Sequence, residues 1–347
     1  MRKITGAIGT KMVTLLAIFF IICVVFAVWA ELVGDRFLRI STFVTIGDML
    51  VLTSFLAIGS GFLMVSGNLD LSASSIGAFS SIMMAACLRY FELSTGAAII
   101  LAILCSTAFG ILNAVLVYEF NFAPFIATLA MASVVQGVMQ FVSVSPATGH
   151  PMNVVYSSDI TRWIGRGQIA GIPAMLIFAL IVFIIYGLIL AKTKFGKQVY
   201  IVGSNKQAAE LAGISPRKIY YILFANSAFL ASIAGVIHMG RQSQGDLTGL
   251  ANNQFTGITA AILGGVSFGG GSGNMAGVFV GLMLLNTFTL GTVIVRLSFH
   301  WSLVMQGGVL LAALVLDYFN EKRVLARHSV VDKSVETVEE DRNHEKA

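Results

Sequence analysis

Long apolar runs separated by short polar breaks set the pattern of this chain. After Arg2, Lys3 and Lys11, an uncharged run extends from Met12 to Ala30. At about 1.5 Å per residue it is long enough to cross a hydrocarbon core of roughly 30 Å. Further apolar runs cover 43–66, 73–91, 95–118, 122–143, 172–191, 218–239, 252–266, 274–295 and 300–318. The pattern predicts an all-α polytopic membrane protein of about ten transmembrane helices over residues 1–320. A tail, 321–347, mixes both signs of charge with little apolar content after Val338 and is expected to be mobile. A cleaved signal peptide is the alternative for the first run. Ala27-Val28-Trp29-Ala30 suits it, but the run exceeds the usual ~7 to 15 residues, so an anchoring span is preferred.

The polar interruptions are more distinctive than the runs. Lys192 to Lys218 is the longest basic connector, with Lys192, Lys194, Lys197, Lys206, Arg217 and Lys218. Within it, Gln207 to Leu211 is helix-forming; Ser204 or Asn205 can cap its start, and Gly213 can end it as a C′ residue. A second break, Ser66 to Ser75, contains Asn68, Asp70, Ser72 and Ser75 between two runs that can each span. It reads as a tight turn in which Asp70 or Ser72 caps the next helix, or as a broken helix whose amides and hydroxyls line a pathway. A third break holds Gly264, Gly265, Gly269, Gly270, Gly271 and Gly273, followed by Gly277 and Gly281 at a spacing of four. That spacing permits close helix contact. Val144 to Ala170 is the longest remaining connector, with Pro146, Gly149, Pro151, Arg162, Trp163 and Arg166. Such a composition suits an interfacial segment where a partner could dock, or a plain solvated loop.

Composition supports a membrane assignment. Residues are 56% hydrophobic and 11% charged, against roughly 25% charged in soluble domains. Placing both termini and Gly203 to Ile214 in the cytosol puts 15 of the 22 Lys and Arg there, which satisfies the positive-inside rule. The net charge of +5 is not gathered into a basic patch interleaved with aromatics, so nucleic acid is not an expected partner. Cys23, Cys87 and Cys105 lie in apolar runs and suggest neither a disulfide framework nor a metal site. The glycine runs lack the Gly-x-x-x-x-Gly-Lys-Ser/Thr order, so no nucleotide site or other cofactor is expected in the chain.

Ordered motifs connect these pieces. Thr193-x-Phe195-Gly196-x-x-x-Tyr200-x-x-Gly203-x-Asn205-x-x-Ala208-Ala209-x-Leu211-x-Gly213-Ile214 resembles the cytoplasmic loop of bacterial sugar ABC permeases, the ribose, arabinose, galactose and xylose importer family. Gly67, Asp70, Leu71, Ser72 and Ser75 are similar to that family's Gly-Ile-Asp-Leu-Ser-Val-Gly-Ser stretch, with Asn68 and Ser74 standing where glycine is usual. Pro124 to Leu129 and the glycine-rich stretch after Gly264 also match, and Asn286, Trp301, Gly307 and Asp317 extend the likeness. Gln254 and Thr256 replace the family's frequent Glu and Asp.

The resemblance implies a permease subunit in the bacterial cytoplasmic membrane that imports a monosaccharide or polyol. Its implied partners are an ATP-binding subunit carrying ATP and Mg, a second permease copy or homologue, an external solute-binding protein and membrane lipid. It further implies coupling to the ATPase through Gly203, Asn205, Ala208, Ala209, Glu210, Leu211 and Gly213, with Ala208, Ala209 and Leu211 offered to its groove. Asn68, Asp70, Ser72 and Ser75 would bound the solute pathway. Gly264, Gly265, Gly270, Gly271 and Gly273 would form a gate or a close helix contact.

Two other classes fit less well. An ion-coupled carrier normally carries carboxylates or histidines within its spans; Asp48 and Asp70 fall near predicted span ends and no histidine lies centrally in one. An intramembrane enzyme would need an ordered nucleophile or metal motif, and neither Gly-x-Ser-x-Gly nor His-Glu-x-x-His occurs.

Overall fold

A computed structural model describes residues 2–250, 253–298, 300, 301, 303–305, 307, 308, 311, 312 and 315. The chain forms α1 (Arg2–Leu32), α2 (Ile40–Val65), α3 (Ala73–Arg89), α4 (Thr95–Tyr118) and α5 (Pro124–Val142). A short excursion follows, comprising β1 (Val154–Val155), α6 (Asp159–Arg166), β2 (Gln168–Ile169) and β3 (Ile172–Pro173). Then come α7 (Ala174–Lys192), α8 (Lys194–Ser204), α9 (Lys206–Leu211), α10 (Pro216–Gln242), β4 (Gln244–Gly245), α11 (Asn253–Leu263) and α12 (Met275–Ile294). The protein is an all-α polytopic membrane protein. Among the described residues, seven helices are long and apolar enough to cross a bilayer: α1, α2, α4, α5, α7, α10 and α12.

Burial sorts these helices into layers. α2 and α10 form the centre, packed on each other and, through α10, on α3 and α4. Phe55, Ile58, Phe62 and Leu63 of α2 and Leu223 and Phe224 of α10 are fully or almost fully buried. α1, α4, α5 and α7 turn apolar side chains outward, among them Phe20, Leu104, Ile126 and Ile184. That inversion of the soluble pattern is what lipid contact requires, since their backbone groups are satisfied within each helix. α1 lies on α12, with the Phe26 ring against Gly291 and edge-to-face on Phe288 at 5.6 Å.

Two expected spans take a different form. α3, at 17 residues, is apolar but shorter than the seven spanning helices and is buried along nearly its whole length. The run at 252–266 is not a span by itself: α11 has 11 residues, about 16 Å of helix. Residues 243–250, which include β4, precede it as largely non-helical chain packed on α3. Gly245 lies against Ser81 and Ile82 of α3, and Leu250 reaches Gly77. Such backbone is tolerated at this depth because it is enclosed by protein. The run at 300–318 falls largely, and the tail 321–347 wholly, outside the described residues.

The excursion between α5 and α7 is tied down rather than free. β1 pairs antiparallel with β4, α6 begins with a capping box between Ser158 and Thr161, and Gly165 presses on the backbone of Gly240 and Arg241. These contacts define one end of the bundle, the α6 end. α8 and α9 lie at the opposite end.

Candidate functional site at the α9 end

The short helix expected in the basic connector forms as α9, and a longer helix not expected from the sequence, α8, precedes it. α9 starts at an Asn205 cap, whose Oδ1 accepts from the Ala208 amide at 2.9 Å. It ends at Gly213, where φ is +76°. There the Gly213 and Ile214 amides donate back to the Glu210 and Ala209 carbonyls, both at 3.0 Å. This is the glycine-terminated C-cap with paired 5→2 and 6→1 bonds. Lys206 fixes the helix to the bundle, its Nζ 4.5 Å from the Tyr118 ring centroid and 5.7 Å from that of Tyr220, a cation–π arrangement. Arg217 pairs with Glu119 at 2.6 Å alongside.

Ala208, Glu210 and Leu211 are exposed, Leu211 at 91%. Ala209 is not: it is completely buried. The expectation that Ala208, Ala209 and Leu211 share one outward face is therefore corrected. Successive helical residues are about 100° apart, so positions 208 and 211 share a face while 209 points away from it. Ala209 seats the helix on the bundle.

The two polar breaks meet this connector. A β-carbon on Gly203, near the end of α8, would stand 2.0 Å from the Val65 carbonyl oxygen, 2.8 Å from the Gly271 nitrogen and 3.0 Å from the Ser66 α-carbon. Gly270 lies equally close to Gly67 and to the Gly203 carbonyl. The Gly271 amide donates to Val65 O at 2.8 Å, and Tyr200 Oη donates to Gly273 O at 2.7 Å. Three segments distant in sequence thus touch backbone to backbone, a fit that only glycine permits at positions 203 and 270. Gly264 makes a comparable contact with Gly277 on α12, and Gly265, with φ +86°, ends α11. The structure therefore joins Gly67, Gly203, Gly270, Gly271 and Gly273 into one site.

The Ser66–Ser72 break enters the bundle instead of lying across its surface. The Leu71 amide donates to Thr128 Oγ1, a turn inside α5, at 3.0 Å, and Asn113 Nδ2, inside α4, donates to Ser72 Oγ at 2.8 Å. Asp70 is wholly buried. Its Oδ1 accepts from the Ser72 amide at 2.8 Å and from Ser72 Oγ at 2.6 Å, while Oδ2 accepts from Ser227 Oγ of α10 at 2.8 Å. The carboxylate thus sits at the start of α3, where the helix dipole favours negative charge, and ties α3 to α10. Asn68 is also buried, its Nδ2 donating to Ser66 Oγ at 3.0 Å. Ser75, one turn further, accepts from Gln136 Nε2 at 3.3 Å. It lines a cavity of 190 Å³ with Ser74, Gln136, Leu247 and Phe255. Of the four residues expected at a pathway, Ser75 borders this cavity, whereas Asp70 and Ser72 stand behind it as a hydrogen-bonded frame with Asn113 and Ser227.

Asn113 and Ser227 complete the site and were not singled out by sequence, whereas Tyr200 stood in the connector motif without a role. A lone hydroxyl or amide in an apolar run resembles a packing residue. Only the fold shows that α4 and α10 direct Asn113 and Ser227 to the Ser66–Ser72 break, and α8 directs Tyr200 to the glycine-rich one.

A bundle of spanning helices, two enclosed polar breaks and a connector locked onto both define a polytopic membrane permease. Comparison with known proteins makes the assignment specific. Residues 42–314 match the family described as the branched-chain amino acid transport system permease component, and the chain belongs to that family. It is 29% identical over 288 residues to the ribose import permease protein RbsC of Bacillus subtilis (strain 168), covering 83% of this chain and 88% of the relative. It is 30% identical over 302 residues to the D-allose transport system permease protein AlsC of Escherichia coli (strain K12), covering 86% and 90%. Over 272 residues it is 30% identical to the L-arabinose ABC transporter permease protein AraH of Azospirillum brasilense, covering 78% of each chain. No solved structure matches the chain.

Proposed function

We propose that the chain is the membrane-spanning subunit of an ATP-driven importer for a monosaccharide or related polyol, forming the translocation pathway and coupling it to a separate ATPase. The ribose, allose and arabinose named for its relatives support the solute class. The observation that carries the coupling is the fit of Gly203 against Val65 and Gly271. A partner that grips the exposed face of α9 at Ala208, Glu210 and Leu211 pulls on α8, and α8 cannot shift without displacing both breaks. Asn205 and Gly213 fix the ends of the gripped helix. Asn68, Asp70, Ser72 and Ser75 bound the pathway or its inner gate, and Gly264, Gly265, Gly270, Gly271 and Gly273 form the movable backbone opposite them.

In this reading the α9 end and both termini face the cytosol of a bacterium, and the α6 end faces an external solute-binding protein. A second copy or homologue completes the pathway, lipid surrounds it, and ATP and Mg belong to the ATPase.

The test uses cells that carry the chain with its ATPase and binding protein. Leu211→Arg is expected to reach the membrane at the parent level, to release the ATPase in a pull-down, and to lower uptake about tenfold or more. Vesicle uptake should require ATP and survive an ionophore. Uptake that ignores ATP and collapses with the ionophore would instead make the chain an ion-coupled carrier, with Asp70 as its buried carboxylate.

A further inference from the structure

A polar cavity lies at the α6 end, away from the glycine contact. It measures 670 Å³, and its polar wall is formed by Thr45 and Asp48 of α2, Arg166 of α6, and His238, Arg241 and Gln242 of α10. Its size falls within the roughly 300–1,000 Å³ typical of small-molecule sites. We infer that this cavity is a docking site for a neutral, hydroxyl-rich solute, held between Asp48, Arg241 and the imidazole of His238. The inference rests on the importer reading and adds to it a place where the permease itself contacts the solute.

The first argument is unspent hydrogen-bonding capacity. His238 is only 4% exposed, yet among the described residues neither ring nitrogen has a hydrogen-bond partner. Asp246 Oδ2 lies 3.9 Å from Nε2, too far for a hydrogen bond. Arg241 spends Nη1 on the Asp48 carbonyl at 2.9 Å and Nη2 on Asp48 Oδ1 at 2.6 Å, while its buried Nε is unpartnered. Buried groups of this kind are costly to leave unpaired, so an unused set in a cavity wall points to a ligand.

The second argument is the balance of donors and acceptors. A neutral imidazole offers one of each, Arg241 Nε is a donor, and the half-exposed Asp48 carboxylate accepts. A sugar hydroxyl donates and accepts at once, so neighbouring hydroxyls can satisfy all three. The guanidinium donors an anion would need are largely engaged already. Arg241 is neutralised by Asp48, and Arg166 directs Nε and Nη2 to the Arg241 carbonyl, with Nε at 2.7 Å.

The position agrees with passage towards the interior. The irregular chain from 243 to 250 separates this cavity from the one lined by Ser75: Gly249 faces the first and Leu247 the second. The imidazole packs against Gly249, where a β-carbon would stand 2.1 Å from Nε2. A ligand that draws on His238 therefore bears directly on the partition.

The test is protection of a single cysteine at the cavity rim. Gln242→Cys is placed in the full chain after replacement of Cys23, Cys87 and Cys105, and intact cells are treated with an impermeant thiol reagent. D-ribose, L-arabinose and D-allose are each added at about 50 mM, and a site with a dissociation constant of about 10 mM would then slow labelling about sixfold. We expect protection by at least one sugar, lost in His238→Ala. We also expect the same sugar to protect Thr45→Cys on the facing helix and not Ser157→Cys outside the cavity. These reporters carry the test if His238→Ala fails to reach the membrane. Equal protection by sulfate, protection confined to position 242, or no protection by any of the three sugars would overturn the site. ATP-dependent uptake of one of these sugars without protection leaves the importer standing and removes the site. Protection without ATP-dependent uptake does the reverse.

Discussion

Gly203 and Val65 stand in a contact that leaves no room for a side chain: a β-carbon on the first would lie 2.0 Å from the carbonyl oxygen of the second. Gly203→Ala must therefore push α8 away from the end of α2. We expect a destabilisation of about 1–3 kcal/mol, as for other overpacked sites, read as a lower melting temperature of the purified protein, together with reduced uptake. Gly96→Ala, whose β-carbon would meet nothing within 4 Å, should melt no lower than the parent. Parent-like melting and uptake in Gly203→Ala would show that the contact is not tight.

Ala208 and Ala209 are adjacent in sequence and opposite in environment, so the same substitution should separate two roles. Ala208→Arg, on the exposed face, is expected to leave the melting temperature within about 0.5 kcal/mol of the parent while weakening retention of the ATPase. Ala209→Arg places a charge where no surface is exposed and should cost several kcal/mol, lowering the amount of protein in the membrane as well. Equal membrane levels for both variants would contradict the seating of α9.

Asp70 serves as the pin between α3 and α10 through Ser72 and Ser227. Asp70→Ala leaves those donors unsatisfied and should cost about 1–3 kcal/mol per buried group. Asp70→Asn keeps the shape and an acceptor but loses the charge. Uptake should fall in Asp70→Asn at a parent-like membrane level if the carboxylate bounds the pathway. Normal uptake in Asp70→Asn, with loss of stability confined to Asp70→Ala, would restrict the residue to capping.

Orientation can be read with cysteines in a background free of the native three. Exposed positions Gln207 and Ser157 mark the two ends of the bundle. An impermeant thiol reagent on intact cells should label Ser157→Cys and spare Gln207→Cys until the membrane is opened. The opposite result would invert the topology.

The local grammar of the chain was legible in its residues. Asn205 and Gly213 bracket α9, and Pro124 opens α5, because caps and first-turn prolines act through a few neighbouring backbone groups. The spacing of Gly277 and Gly281 was read as a close contact, and the backbone of α11 occupies it. What could not be read was which distant segments those features join. Nothing in Gly203 names Val65 or Gly271 as its neighbours, and the facing of Ala209 depended on a rotation that six residues do not reveal. The cavity at the α6 end left a fainter trace. Asp48 falls within a predicted span and Arg241 two residues beyond another, and charges of opposite sign at corresponding depths are a recognisable signal when paired in space.

In the importer reading, the contact between Gly203 and the two breaks would also govern how much of a stroke is lost on its way into the membrane. A linkage through long side chains has backlash, because rotamers turn before the far side moves. Here a carbonyl oxygen, an amide and α-carbons abut directly, and backbone has almost no slack of that kind. A displacement of α8 would therefore be passed to Val65 and Gly271 with little loss. Exchanging the α8–α9 segment between permeases would consequently preserve the gearing only if both parents carry glycine at this joint.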